Sequence, residues 1–260
     1  MTLLTGKSVI ITGIGPGLGR VIAEEAARLG ADVAMVSRSG AIMAEITASV
    51  PAGARMIAIQ ADITSDADCA AVAEQTVAAF GKIDGLVNSA YRPGDIKPVM
   101  DIDLDELARA FDVTVLGTLR MIRAVVPQME RQGGGSIVNI GSQVARKHVM
   151  NQGGYAATKA AQSALTRYLA IELGPKNIRF NTPSFGWTIS PPARAWLEQQ
   201  EADGGPSVSE SIAGIAGGLA LNRVPADEEY ARAALALVSD YFSSVTGATL
   251  DVNGGEYMPL

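Results

Sequence analysis

An apolar run, Ser8 to Thr12, passes directly into the glycine turn TGIGPGLG and then into a helical stretch, Arg20 to Leu29. Strand, glycine turn and helix in that order leave few arrangements open. Glycines let the backbone approach a ligand closely at a helix N-terminus, where free N–H groups and the helix dipole favour an anion. Gly13, Gly17 and Gly19 fit the spacing G-x-x-x-G-x-G, with Gly15 inside the turn. The commoner G-x-G-x-x-G fails because Leu18 holds its last place. An ordinary glycine-rich turn would look similar, but the flanking strand and helix favour a nucleotide site.

Beyond that turn, β-like runs alternate with helical patterns. SVIIT, DVAMV, MIAIQA, GLVNSA, SIVNIG, IRFNT and TLDV read as strands. Helices are expected from Arg20, near Ile42 to Val50, Asp66 to Phe80, Asp103 to Gln132, after Gly154, and near Asp227 to Ser239. Such alternation implies an α/β fold with a parallel sheet. With 260 residues and 48% hydrophobic content, one domain over 1–260 can bury a sizeable core. Nothing marks a second domain or a repeat, and the segment 187–222, with its loose polar stretch Glu201 to Glu210, reads as a lid.

Charge and composition narrow the partners. A net charge of −6 and a pI near 4.9 argue against a polyanion, so no nucleic acid is expected. No window reaches about 18 uncharged apolar residues and no secretory n-region is present, so no membrane span is expected and the chain reads as cytoplasmic. Cys69, the lone cysteine, cannot form an internal disulfide and reads as a buried structural thiol.

The chemistry concentrates in GGYAATKAA. Tyr155 and Lys159 stand four residues apart, so a helix starting here puts both on one face. A phenol near its ordinary pKa of roughly 10 is a poor acid-base catalyst at neutral pH, and an adjacent ammonium favours the phenolate. Ser142 ends the run SIVNIGS, where a buried strand would deliver a hydroxyl to the carboxyl edge of the sheet. Hydroxyl, phenol and ammonium are thus expected to converge.

TGIGPGLG, Asp62 in QADI, Asn88 in LVNSA, Ser142 in NIGS, and then Tyr155 and Lys159 follow in an order and spacing that resemble the short-chain dehydrogenase/reductase family, from about Lys7 to Gly255. IRFN, FGWTIS and VTGATLDVNGG add to the likeness. The resemblance implies a Rossmann-type doubly wound parallel sheet with helices on both faces, and hydride transfer between a nicotinamide and a carbonyl carbon. Tyr155 would give its proton to the carbonyl oxygen or take one from an alcohol, Ser142 would hydrogen-bond that oxygen, and Lys159 would bind the nicotinamide ribose and depress the phenol. Asp62, with Ile63 beside it, would meet the adenine. Asn88, followed by Ser89 and Ala90, would hold the backbone around the cofactor ribose. Thr188 and Ser190, after Gly186, would reach the nicotinamide carboxamide.

Cofactor choice rests on the end of the second strand, MVSRSG. A carboxylate there would accept bonds from the ribose hydroxyl of NAD, whereas an arginine attracts a 2′-phosphate. Ser37 takes the acid's place and Arg38 follows, which favours NADP with NAD possible. Three departures from the family pattern stand out. DVTVLG puts Thr114 where the family has a catalytic asparagine, Ser89 replaces an asparagine in NSAY, and Phe185 replaces a proline before the lid. His148, the only histidine, reads as an exposed loop residue.

Tyr91, Val144, Met150, Trp187 and Trp196 are expected to line a large apolar pocket, so a small-molecule secondary alcohol or ketone, hydrophobic or alicyclic, is the expected substrate. A 3-oxoacyl carrier-protein reductase would share these motifs and require a basic patch, with Arg92, Lys97, Arg146 and Lys147 as its candidates. A nucleotide-sensing protein that keeps the fold without turnover is the reading from another class. Family members commonly pair the helix around Asp103 to Gln132 and the helix after Tyr155 between subunits, so a homo-oligomer, a dimer of dimers, is expected.

Overall fold

The computed structural model describes residues 2–259. Its strands are β1 (Ser8–Thr12), β2 (Asp32–Ser37), β3 (Met56–Gln60), β4 (Gly85–Asn88), β5 (Gly135–Asn139), β6 (Gly141–Ser142), β7 (Ile178–Phe185) and β8 (Thr249–Val252). They lie in the order β3-β2-β1-β4-β5-β7-β6, with β8 also on β7, and the pairings are parallel throughout.

The central strands β1, β2, β4 and β5 carry near-continuous apolar runs because both faces of the sheet are covered there. Val9, Ile11, Val33, Met35, Val87 and Val138 point to one face, where α1 (Leu18–Arg28), α2 (Ala41–Ser49) and α9 (Asp227–Val238) pack. Their neighbours Ile10, Ala34, Val36, Leu86 and Ile137 point to the other, against α3 (Asp66–Phe80), α5 (Thr118–Arg131) and α6 (Gly153–Leu173). Burying each large aliphatic side chain contributes about 1.5–3 kcal/mol. The strand order reverses between β1 and β4, and the register Thr12↔Asn88↔Asn139 lines up their carboxyl ends. A ligand crevice belongs at this switch point.

Two stretches differ from the expectations. The single helix expected over Asp103 to Gln132 is α4 (Leu104–Phe111), a π-helical turn (Asp112–Gly117) and α5 in succession. The wider turn places Thr114 wholly inside the protein. The loose stretch expected over Glu201 to Glu210 narrows to residues 203–207, between α7 (Pro191–Ala202) and α8 (Val208–Gly217), the latter opened by a capping box between Ser207 and Glu210. Among the described residues, no helix is long and apolar enough to cross a membrane.

Candidate active site

The glycine turn leaves β1 at Gly13, whose φ of +75° suits glycine, and a side chain there would collide with the backbone of Ala90. One on Gly19 would collide with the Gly13 carbonyl. Gly15, by contrast, has no neighbour closer than 4.0 Å, and Gly17 faces only Ser190 and Pro192, at 3.7 Å and beyond. The inner wall of the turn is therefore packed shut and its outer lip is open. Helix α1 begins at Leu18 with no side-chain cap and no acid in its first turn, so its first N–H groups are left to an anion, apart from that of Arg20, which donates to the Gly17 carbonyl at 3.1 Å.

Around this cradle lie the other expected contacts. Asn88 donates from Nδ2 to Asn139 Oδ1 at 2.9 Å, while its own Oδ1 is buried without a donor. Such an acceptor is suited to a ligand hydrogen bond. The Ser89 and Ala90 N–H groups face Thr12 Oγ1 at 3.3 and 3.4 Å. Asp62 Oδ1 accepts the N–H and hydroxyl of Thr64, and the N–H bond above all holds its carboxyl below the usual range, with Arg38 adding to the effect. Ile63 is buried against Gly117. Ser37 Oγ accepts the Ser39 N–H, and the Arg38 carbonyl accepts Gln60 Nε2. Gly186 is pressed against Asn253, Thr188 is half-buried and Ser190 is buried. The open lip, the uncapped helix and the unpartnered Asn88 oxygen fit a dinucleotide.

Helix α6 starts where Gly153 and Gly154 press on Val99, Ile102 and Leu107, a fit that leaves no room for a larger residue at Gly153. Tyr155 therefore enters in the first turn, half-buried, with its ring 5.8 Å from that of Tyr91. One turn on, Lys159 is 2% exposed. Its Nζ donates to the Ile140 carbonyl at 2.7 Å and lies 6.0 Å from the centre of the Tyr155 ring. Ile140 is two residues before Ser142, which β6 sets beside Phe185 of β7. The Ser142 hydroxyl accepts the Val144 N–H at 3.4 Å. Hydroxyl, phenol and ammonium thus lie around one point at the carboxyl edge.

Burial dominates their ionisation. It pushes the Tyr155 phenol up, Tyr91 adds to the rise, and the Ser142 hydroxyl opposes it. It lowers the Lys159 ammonium to about 7. In the protein alone, the depressed phenol expected from sequence is thus outweighed by desolvation.

Thr114 does not reach Lys159 through its hydroxyl, which accepts the Arg92 N–H at 3.1 Å. Its carbonyl accepts instead from Thr118 Oγ1 at 2.8 Å and from Gln162 Nε2 at 3.4 Å. Gln162 escaped the sequence reading, although a polar residue three positions beyond Lys159, on the helix face turned to the sheet, is the signal that could have found it. Tyr230 was missed likewise. It is fully buried, stacks edge-on against Phe185 at 4.9 Å, and donates its hydroxyl to the Trp187 carbonyl at 2.7 Å, fixing the start of the segment 187–222.

The expected pocket residues are gathered only in part. Tyr91 stands over Tyr155, Trp187 and Trp196 pair at 6.4 Å, and Val144 is half-buried beside Ser142, but Met150 is 72% exposed. His148 is exposed.

A family model described as Enoyl-(Acyl carrier protein) reductase matches residues 13–256. The chain belongs to the short-chain dehydrogenase/reductase family. It is 32% identical over 258 residues to the 7alpha-hydroxysteroid dehydrogenase of Escherichia coli (strain K12), covering 99% of this chain and 96% of that protein. It is 34% identical over 266 residues to the L-rhamnose 1-dehydrogenase (NAD(P)(+)) of Sphingomonas sp. (strain SKA58), with both chains fully covered. A solved structure of 7alpha-hydroxysteroid dehydrogenase complexed with NADH and 7-oxo glycochenodeoxycholic acid superposes with a TM-score of 0.87 at 33% identity, covering 97% of this chain and 94% of that one. With the family comes the enzyme class, an NAD(P)-dependent oxidoreductase acting on a CH–OH group or the corresponding ketone.

Proposed function

We propose that the protein transfers hydride between NADP(H) and a hydrophobic or alicyclic secondary alcohol or ketone. The observation that carries this reading is the meeting of Ser142, Tyr155 and Lys159 at the end of β5, next to a glycine cradle open on its outer side. A nicotinamide, when bound, supplies or accepts the hydride. Alcohol oxidation then removes a hydride from carbon and a proton from oxygen, and Tyr155 handles that proton. Ser142 orients the substrate oxygen, and Lys159 keeps one N–H direction for the ribose after two are used by the protein. The cradle Gly13 to Gly19, with Asn88, Asp62, Thr188 and Ser190, would hold the dinucleotide.

NADP is favoured because no acid stands at Ser37 and because Arg38 has no carboxylate partner among the described residues, whereas Asp62 is already engaged by Thr64. Tyr91, Trp187 and Trp196 supply the apolar wall, and residues 187–222 form the lid. A carrier-protein substrate fits less well. Arg92, Lys97, Arg146 and Lys147 are each paired with a carboxylate, on Glu106, Asp95, Asp251 and Glu256 respectively, so these four offer no free basic patch to an acidic carrier. We also place the enzyme in the cytoplasm as a homotetramer. The groove between α5 and α6, lined by Leu119, Ile122, Val126, Leu165 and Leu169, would bury itself against a second copy, and a monomer mass by light scattering would reject that arrangement.

The test is a screen of secondary alcohols and ketones with both nicotinamide cofactors, followed by Tyr155→Phe on the best substrate. The variant loses the proton donor and little binding surface, so turnover should fall by about 10²–10⁴ while cofactor affinity by fluorescence titration stays within about twofold. Unchanged turnover sinks the assignment. Nucleotide binding without turnover on any substrate would favour a sensing role instead.

A further inference from the structure

We propose that Gln162 is a positioning residue for Lys159, tying its ammonium to the π-helical turn in place of the asparagine that Thr114 replaces. The inference rests on the oxidoreductase reading above. Lys159 and Gln162 sit three residues apart on α6, 2% and 1% exposed. Lys159 Nζ donates to Gln162 Oε1 at 3.2 Å as well as to the Ile140 carbonyl. Gln162 Nε2 donates to Thr118 Oγ1 at 3.0 Å and to the Thr114 carbonyl at 3.4 Å.

The amide can point only one way. The Thr118 hydroxyl spends its proton on the Thr114 carbonyl, so Gln162 meets two acceptors on that side and a donor on the other. Flipping the amide would set NH₂ against an ammonium and oxygen against a carbonyl. A buried glutamine is tolerated when each of its polar groups is bonded, and here both are. The groups facing Nζ are the Tyr155 phenol from the same helix, the Tyr91 ring from the loop after β4, 5.6 Å from Nζ, and the Ile140 carbonyl after β5. No carboxylate pairs with Lys159 among the described residues, so Gln162 Oε1 is its side-chain acceptor. The Thr114 hydroxyl is taken up by the Arg92 N–H, and the connection from that turn to the lysine runs through the Thr114 carbonyl and Gln162.

Gln162→Met keeps the side-chain volume and removes the acceptor. The decisive readout needs no turnover: the titration of isotope-labelled lysine Cε by NMR in the cofactor-free protein, with the Lys159 signal assigned by its loss in Lys159→Met. Without the acceptor, the Lys159 midpoint should fall by about one pH unit. Thr118→Val, which loosens the amide's anchor, should lower it by less in the same direction, and it carries the test should Gln162→Met not fold. A pocket merely loosened and wetted would move the midpoint upward, toward ordinary lysines. An unchanged or raised midpoint overturns the proposal. In parallel, kcat/KM for alcohol oxidation by Gln162→Met should fall about tenfold with its pH profile displaced. Absence of turnover in the unaltered protein would reject the oxidoreductase reading, while the titration would still decide the role of Gln162.

Discussion

Arg92 and Arg146 are neutralised by nearby carboxylates, but Arg38, at the carboxyl end of β2, is free of any such partner among the described residues and acts on Asp62 only through space. A guanidinium so placed is available to a 2′-phosphate, and a charge-assisted contact of that kind is worth about 1.5–3 kcal/mol. NADPH should therefore bind more tightly than NADH by tenfold or more, on the order of what such a contact supplies. In Arg38→Ala the two affinities, read by fluorescence titration, should become nearly equal. Equal affinities in the unaltered protein would show that Ser37 and Arg38 have been misread. Cys69 reads the same in sequence and structure: its thiol is 1% exposed, donates to the Ile63 carbonyl, and is pushed up to about 11 by burial, the state of an inert thiol. The residues proposed to touch substrate or cofactor stood out in the sequence because that chemistry demands fixed types at fixed spacing. Gln162 was not, since a glutamine on a helix ordinarily faces water, and only the packing of α6 on the π-helical turn turns it inward.

Legibility at the scale of elements follows the strength of the local signal. Helix α3 begins and ends where the sequence places it because Ser65 caps the Asp68 N–H and Gly81 closes the helix in a left-handed conformation. The start of α1 was read two residues late, since Gly17 offers no capping side chain. Strand β6 has two residues, too few for any pattern, and the π-helical turn is invisible to a periodicity of 3.6. Arg179 shows an element's end being finished from a distance. From β7, its guanidinium donates to the carbonyls of Leu237, Val238 and Ser239 at the C-terminus of α9, at 3.0 to 3.3 Å, and to that of Val245. The last turn of α9 has no basic residue of its own. Arg179→Met should strip the charged donor from all four, leaving the Val238 carbonyl short while those of Leu237, Ser239 and Val245 keep Ser136 Oγ, the Phe242 N–H and Asn181 Nδ2, and destabilise the fold by about 1.5–3 kcal/mol. Urea unfolding with a lowered midpoint and an unchanged slope would bear this out, and an unchanged midpoint would reject it.

The whole molecule should record its buried lysine in the pH dependence of its stability. On the acid side, Arg92 and Arg223 hold Glu106 and Glu229 down to about 2, so their contributions are present above the ordinary glutamate range and are lost as pH falls toward 2. Lys159 acts in the opposite sense. Its folded-state value is lowered from 10.5 to about 7 by burial, so between those limits the unfolded chain binds more protons than the folded protein. Stability then rises with pH across that window, because the folded state no longer has to shelter an ammonium that has hydrogen bonds but no carboxylate partner among the described residues. Near its top the raised phenols of Tyr155 and Tyr230 begin to act the other way, as the unfolded chain loses protons that the folded one retains. Cys69, pushed up to about 11 by burial, acts in that same opposing sense once the unfolded thiol begins to ionise, so measurements from about pH 7 to about pH 8 isolate the lysine. Denaturant unfolding of the cofactor-free protein should give a midpoint that climbs through this range. Lys159→Met, which removes the titrating group and keeps its apolar stem, should give a higher midpoint at the lower pH and a flatter profile. A climb of equal size in the variant would assign the effect to other groups and show that the ammonium is better stabilised in its pocket than its burial implies.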